Sequence, residues 1–239
     1  MTGFGKTSKK VKAIRKLNES NAEELITKSA LAFQQGKLSK AKRLAENALR
    51  FDHKQSFVLG LLATIEKALG NIDSSMNLFE RSINICQDDA DILHNYSGLL
   101  QEVDLMKSID LSNKTLLISP NNPNFLERNG YLKWKAGKLN DALSVSLKSI
   151  EIWPLNPKFY LNLGNIYREL GDLDQALSST LRSLELKPDN SYAYMNLGVI
   201  YQDSGDLQAA ISSTLKSLEL NPSNPDAHLN LGGIYKALG

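Results

Sequence analysis

Apolar residues in this chain recur at the spacing of an α-helix, in runs that are short and regularly broken. In residues 157–190, Tyr160, Leu163, Gly164 and Tyr167 fall three, four and seven positions apart, which places them on one face of a first helix. Gly171 and Asp172 break that run, glycine supplying the left-handed backbone favoured at a helix C-terminus. Leu173, Ala176, Leu177, Thr180 and Leu184 then form the inward face of a second helix, and Pro188 stops it.

This two-helix unit is repeated. Pro120, Pro154, Pro188 and Pro222 stand 34 residues apart, and Gly137, Gly171 and Gly205 keep the same interval, as do Gly36 and Gly70. The two most similar copies read PKFYLNLGNIYRELGDLDQALSSTLRSLELKPDN (157–190) and SYAYMNLGVIYQDSGDLQAAISSTLKSLELNPSN (191–224). A lone hairpin of this kind cannot bury its apolar face, so stacking on neighbours must supply the core. The register places copies at 22–55, 56–89, 90–122, 123–156, 157–190 and 191–224, with a partial copy at 225–239. The third copy is one residue short and has Val103–Asp104 in place of the turn glycine, so its hairpin is predicted to be tighter or distorted. The first two copies have His53 and Gln87 where proline stands, and the fourth has Asn129 and Lys133 where Leu and Tyr stand elsewhere. The pattern predicts an all-α solenoid, a superhelix of thirteen antiparallel helices. Ahead of it, residues 1–21 are expected to be a partly disordered basic tail, with Val11–Leu17 as a short helix.

The repeat resembles the tetratricopeptide repeat, whose first helix carries an aromatic, then Leu-Gly, then Tyr, and whose second carries Ala, an aromatic, Ala and a closing Pro. Tyr194, Leu197, Gly198, Tyr201, Ala210 and Pro222 match that pattern directly. Thr214 and Ser217 replace the last aromatic and the last alanine, and Ser146, Ser149, Thr180 and Ser183 do the same in earlier copies. These hydroxyls are suited to bond back to the preceding turn of their own helix.

Composition and charge change this picture little. Hydrophobic residues make up 42% and charged residues 23% of the chain, as in a folded soluble protein. The single cysteine, Cys86, excludes an intrachain disulfide. No apolar run reaches the roughly 18–20 residues of a membrane span, and the basic N-terminus lacks the apolar core of a secretory signal. A cytoplasmic location is the expectation. Charge is uneven: residues 1–21 hold Lys6, Lys9, Lys10, Lys12, Arg15 and Lys16 against Glu19 alone, while the remainder is mildly acidic. The tail is therefore the one segment suited to phosphate or anionic surfaces. It has no interleaved aromatics beyond Phe4, which disfavours nucleic-acid binding.

Catalytic chemistry finds no support. GFGKT (Gly3 to Thr7) echoes the end of a phosphate-binding loop, but only four residues precede Gly5, leaving no room for the strand and earlier glycine. His53, His94 and His228 are far apart, and Cys86 has no histidine nearby. Acidic residues are dispersed along helix faces as solvated charge. No catalytic, metal or cofactor site is expected, and the chain is not expected to be an enzyme.

The resemblance does imply a groove lined by the first helices. The sixth place of successive copies is Asn95, Arg128, Asn162, Asn196 and Asn230. This resembles the asparagine ladder in the repeat region of O-linked N-acetylglucosamine transferases, where such residues hold an extended peptide by its backbone. A carboxamide offers both a donor and an acceptor, so it can satisfy a peptide unit in both senses. With packed helices ~8–10 Å apart and a strand rising ~3.3 Å per residue, one asparagine would meet the peptide about every three residues. The competing reading is that these are solvated asparagines, common at this place in the family. Tyr131, Trp134, Asn165, Arg168 and Gln202 line the same face, and Trp134 suits either the groove or the repair of its copy's packing. The carboxylate clamp known in the family needs Lys at the fifth place, which no copy has.

The implied function is a scaffold or adaptor that binds a protein or extended peptide in the groove. The alternative is the substrate-recognition region of a larger enzyme, such as a group-transferase whose catalytic domain is not in this chain. The last helix, about Pro225–Leu238, carries Leu231, Ile234, Tyr235 and Leu238 on faces that a further helix would normally cover. The chain is therefore expected to continue past Gly239 or to self-associate through that helix.

Overall fold

The computed structural model describes the backbone of residues 4–51 and 55–238 and the side chains of 18–51 and 55–238. His53, Gly3 and Gly239 lie outside the described residues. Thirteen helices account for nearly all of the described chain, with no strand among the described residues. They run α1 (Phe4–Gln34), α2 (Leu38–Ala48), α3 (Gln55–Ala68), α4 (Ile72–Ile85), α5 (Ala90–Leu100), α6 (Leu105–Ile118), α7 (Pro123–Lys135), α8 (Leu139–Ile152), α9 (Pro157–Glu169), α10 (Leu173–Leu186), α11 (Ser191–Ser204), α12 (Leu207–Leu220) and α13 (Pro225–Leu238). The chain forms two compact units, Met1–Ile118 and Ser119–Gly239.

Helical backbone runs without a break from Phe4 to Gln34, through the segment set apart on sequence as a tail. The segment Val11–Leu17 belongs to that helix. Residues 6–34 contain no Gly or Pro and are rich in Lys, Ala, Leu and Glu, so no breaker separates tail from repeat.

Each odd-numbered helix from α1 to α11 pairs with the even one that follows, and within each unit successive odd helices also touch. Small residues make the crossing close. Ser29 Oγ donates to the Ala41 carbonyl and Ser75 Oγ to the Ala63 carbonyl, both at 2.7 Å. Ser97 and Ser108 exchange hydroxyl-to-carbonyl bonds of 2.9 and 2.8 Å. In the second unit glycine takes this place. A Cβ on Gly164 would lie 2.4 Å from Thr180 Oγ1, and one on Gly198 would lie 2.3 Å from Thr214 Oγ1.

The expected back-bonds of the second helices form in three cases. Thr180 donates to the Ala176 carbonyl at 2.8 Å, Thr214 to Ala210 at 2.8 Å, and Ser149 to Val145 at 2.7 Å. Ser183 does otherwise: its hydroxyl reaches the Pro157 carbonyl at 2.8 Å, just as Ser82 reaches Ser56 at 2.7 Å. That carbonyl sits in the first turn of the odd helix, and the bond ties the two ends of one repeat together.

The turns follow the glycine pattern. At Gly171 (φ +81°) and Gly205 (φ +87°) the glycine N–H bonds to the carbonyl three residues back and the next N–H to the one five back. This is the Schellman closure, which the left-handed residue makes reachable. The third hairpin lacks that glycine and closes one residue sooner, with both Val103 and Asp104 N–H groups directed to the Leu100 carbonyl. The distortion expected there is thus a shortened turn, and Asp104 Oδ1 then accepts from the Lys107 N–H to start α6. Asn129, the poorest match to the pattern, is fully buried.

The cores are local to neighbouring helices. In the first unit Phe79 stacks on Tyr96 at 5.3 Å within a cluster that includes Ala63, Ile92, Leu93, Leu99 and Leu111. In the second, Leu184, Ala193 and Leu197 are packed by Leu161, Leu177, Tyr194 and Tyr201. Ile234, expected on an uncovered face, is fully buried, because α13 packs on both α11 and α12. Tyr235 and Leu238 remain exposed.

Candidate functional site

The wall that the sequence places at the groove is built by α7, α9, α11 and α13, each touching the next. Asparagine caps start three of these helices. Asn122 Oδ1 accepts from the Asn124 N–H at 3.0 Å, Asn156 from Lys158 at 3.1 Å, and Asn224 from Asp226 at 3.1 Å. At the other end the turn glycines take the carbonyls of Trp134, Arg168 and Gln202 at 2.9, 3.0 and 3.1 Å. α7 and α9 are therefore pinned at both ends, α11 at its C-terminal end and α13 at its start.

On that face the structure brings together Tyr131, Trp134, Asn162 and Asn165. With Gly130 and Ile166 they line a recess of about 170 Å³ between α7 and α9. The rings of Tyr131 and Trp134 lie 5.7 Å apart, tilted by 44°. The Trp134 indole nitrogen is shielded from water and has no hydrogen-bond partner among the described residues. Across the next helix pair, the Asn196 carboxamide donates to Asn165 Oδ1, linking α11 to α9.

The other predicted residues are placed as follows. Arg168 spans to Asp203 on α11 at 3.3 Å and lies 4.0 Å from Glu169, so its charge is balanced within the wall. Arg128 is partly buried on α7, and that burial outweighs the nearby Glu127 and Tyr131 and holds its guanidinium below the ordinary arginine range. Gln202 and Asn230 are half-buried on α11 and α13. Asn95 is exposed on α5, in the other compact unit.

The asparagines are thus unequal. Asn196 has one amide function engaged with Asn165, whereas Asn162 borders the aromatic recess. Gly130 and Ile166 were not among the residues expected on this face; Gly130 holds the place of the packing glycine in its repeat. Lys158 and Glu127, also on α9 and α7, form an ion pair at 3.2 Å. Among the described residues no three of His, Cys, Asp and Glu lie together as metal ligands would. Nor is any helix there long and apolar enough to cross a membrane.

Helix pairs joined by glycine turns, closely crossed at small residues and stacked in register, define a tetratricopeptide-repeat fold. Comparison with known proteins agrees. Residues 164–205 and 200–239 match a family model described as TPR repeat, and residues 146–178 match one described as tetratricopeptide repeat. A tetratricopeptide repeat protein from Parabacteroides merdae superposes with a TM-score of 0.81 at 19% identity, over 92% of this chain and 87% of that one. PilW, a type IV pilus biogenesis factor, gives 0.78 at 19% identity over 88% and 98%. At these identities the likeness is one of fold. In sequence the chain is similar to mitochondrial import receptor subunit TOM70 of Rattus norvegicus, 28% identical over 95 residues. That stretch is 39% of this chain, which spans only 16% of the relative's length.

Proposed function

We propose that this protein is an interaction scaffold that holds an extended segment of a partner polypeptide against the α7–α9–α11–α13 wall, in the cytoplasm and without catalysing a reaction. The observation that carries this reading is the convergence of Tyr131, Trp134, Asn162 and Asn165 on one recess, with Asn196 bonded to its edge. Aromatic faces and carboxamides together suit a peptide: the rings cover apolar side chains, and the amides pair with backbone N–H and C=O groups. The half-buried state of Asn162, Asn165, Gln202 and Asn230 fits this, since each keeps surface open to a ligand while its stem is fixed by packing. The ladder resembling that of the O-linked N-acetylglucosamine transferases enters here as Asn162, Asn196 and Asn230. Relatives in sequence include an import receptor subunit, which fits a polypeptide-binding role.

The test is affinity selection of a capped random nonapeptide library by the full chain, followed by the Asn162→Ala/Asn196→Ala/Asn230→Ala variant. Each hydrogen bond lost should be worth about 0.5–1.5 kcal/mol, so the variant should bind selected peptides about ten- to a thousandfold more weakly with unchanged helicity. Equal affinity in the variant would remove these residues from the binding surface.

A further inference from the structure

The connections between repeats in the second unit differ in polarity at one place. After α10 the chain runs Lys187-Pro188-Asp189-Asn190, and after α12 it runs Asn221-Pro222-Ser223-Asn224. After α8 it runs Trp153-Pro154-Leu155-Asn156, so an indole and an isobutyl group stand where the sister repeats carry charged or polar side chains. Both reach water: Trp153 is 43% and Leu155 73% exposed. They line one shallow cleft with Pro154, Asn156 and Pro157. The turn itself does not require them, since Lys187 and Asp189 serve the same turn one repeat later. The polar groups of this loop are turned to its own use. Trp153 Nε1 donates to the Asn121 carbonyl at 3.0 Å, which fixes the ring against the preceding connection. Tyr160 Oη donates to the Pro154 carbonyl at 3.1 Å, and the Asn156 N–H to the Trp153 carbonyl at 3.2 Å. Asn156 Oδ1 caps α9, and neither Pro154 nor Pro157 has an N–H to offer. What this cleft presents to a ligand is ring faces and C–H groups, held in place and nearly without hydrogen bonds.

That chemistry selects the occupant. A second copy of the chain would need about 800 Å² per partner for a lasting contact, and this patch exposes on the order of 200–300 Å². A helix that holds together in water has about twelve residues or more and is about 18 Å long, too long for a cleft of five consecutive loop residues. An ordinary extended peptide would bury backbone N–H groups against a surface that has no acceptor for them, which costs free energy. Proline has no N–H, and a run of prolines is already ordered as a polyproline II helix whose carbonyls stay in water. Three such residues span about 9 Å, on the scale of the cleft. We propose that the Trp153–Pro157 loop is a second interaction surface, separate from the α7–α9–α11–α13 wall, and that it takes a short proline-rich segment of a partner polypeptide. Trp153 supplies the ring on which a proline rests, and Leu155 the opposite apolar edge.

The experiment titrates the full chain into acetylated decaproline carrying a fluorescein, read by fluorescence polarisation, with a proline-free decamer of Gly and Ser as the comparison. Decaproline should bind saturably with a Kd below about 1 mM, and the Gly-Ser decamer more than about tenfold more weakly. Trp153→Lys/Leu155→Asp gives this loop the residues that its sister repeat carries at the same places, so the fold should be kept, as circular dichroism can verify. That variant should lose more than about tenfold in affinity for decaproline, as removal of a central aromatic contact does. The wild-type chain supplies a second measurement that no variant can spoil. In its amide and indole NMR spectrum, decaproline should shift the Trp153 indole and the Leu155 and Asn156 amides before any others. No binding of decaproline by the wild-type chain overturns the proposal. So does affinity that is equal for the two decamers, or unchanged in the folded double variant, or accompanied by shifts confined to other parts of the chain. Flotation of the wild-type chain with phosphatidylcholine–phosphatidylserine vesicles, lost in the double variant and without decaproline binding, overturns it in favour of a bilayer surface.

Discussion

Substitution of one glycine should have opposite effects in two repeats that look alike in sequence. Gly198 and Gly232 occupy the same place, in α11 and α13. In a helix interior, Gly→Ala stabilises by about 1 kcal/mol through backbone entropy alone. At Gly232 a new Cβ meets nothing within 4 Å, so the full gain should appear. At Gly198 the Cβ would lie 2.3 Å from Thr214 Oγ1 and 3.2 Å from the Ala210 carbonyl oxygen, which is backbone and cannot swing away. The hydroxyl is held too, donating to that same carbonyl at 2.8 Å. Moving it aside forfeits about 0.5–1.5 kcal/mol, and separating α11 from α12 adds the overpacking cost of about 1–3 kcal/mol. Gly198→Ala should therefore destabilise by about 1–3 kcal/mol net, whereas Gly232→Ala should stabilise. Removing the obstructing hydroxyl isolates the cause: in Gly198→Ala/Thr214→Ala the two effects should couple by at least about 1 kcal/mol. Urea unfolding followed by circular dichroism, fitted to a nearest-neighbour repeat model, gives the totals, and amide exchange in α11 and α12 gives the local change. Stabilisation by Gly198→Ala equal to that of Gly232→Ala, or additivity in the double variant, would refute the close-crossing argument.

Other outcomes are open to measurement. Glu66 is 4% exposed and receives Lys42 Nζ and Asn71 Nδ2, each at 2.6 Å. Burial pushes its pKa up, but the hydrogen bonds from Lys42 and Asn71 and the Lys42 charge outweigh that and hold it below the usual carboxylate range. Its contribution is thus complete above the unfolded value of about 4.3 and is lost as pH falls through the lower folded value. Glu66→Gln should cost about 1–3 kcal/mol at neutral pH and flatten the acid limb of a stability–pH curve; an unchanged acid limb would deny Glu66 that role. On α13, Leu229, Tyr235 and Leu238 are 76%, 52% and 47% exposed, so the 239-residue chain should associate with rising concentration in sedimentation velocity. Leu229→Lys/Leu238→Lys should abolish this, and a wild-type monomer at all concentrations would contradict it. If the basic segment assists binding electrostatically, selected-peptide affinity should fall with added salt and on deleting residues 2–16, and a salt-independent affinity would exclude it.

Much of this architecture is carried by local chemistry. Helices recur because apolar residues return every 3.6 positions, and α1, α3, α7, α9 and α11 end where Gly36, Gly70, Gly137, Gly171 and Gly205 adopt positive φ. Those signals act within a few residues, so the repeat could be read from the chain directly, as could the place of Asn162, Asn196 and Asn230 on one helix face. The same local logic marked the third hairpin as different, and its turn closes without a left-handed residue.

What the tertiary structure decided are relations between residues about 26 to 35 positions apart. Ser183 was read as a back-bonding hydroxyl, yet it reaches the Pro157 carbonyl, because the end of one helix lies beside the start of its partner. Asn165 and Asn196 looked like independent groove residues, but stacking of α9 on α11 places one amide against the other. Gly130 and Ile166 are both buried, and they border the recess with Trp134 only because α7 and α9 pack side by side. Periodicity determines which face of a helix turns inward. The distance and rotation at which the next helix packs depend on the volumes of Gly164, Thr180, Gly198 and Thr214 acting together, and only in the assembled stack do those volumes meet.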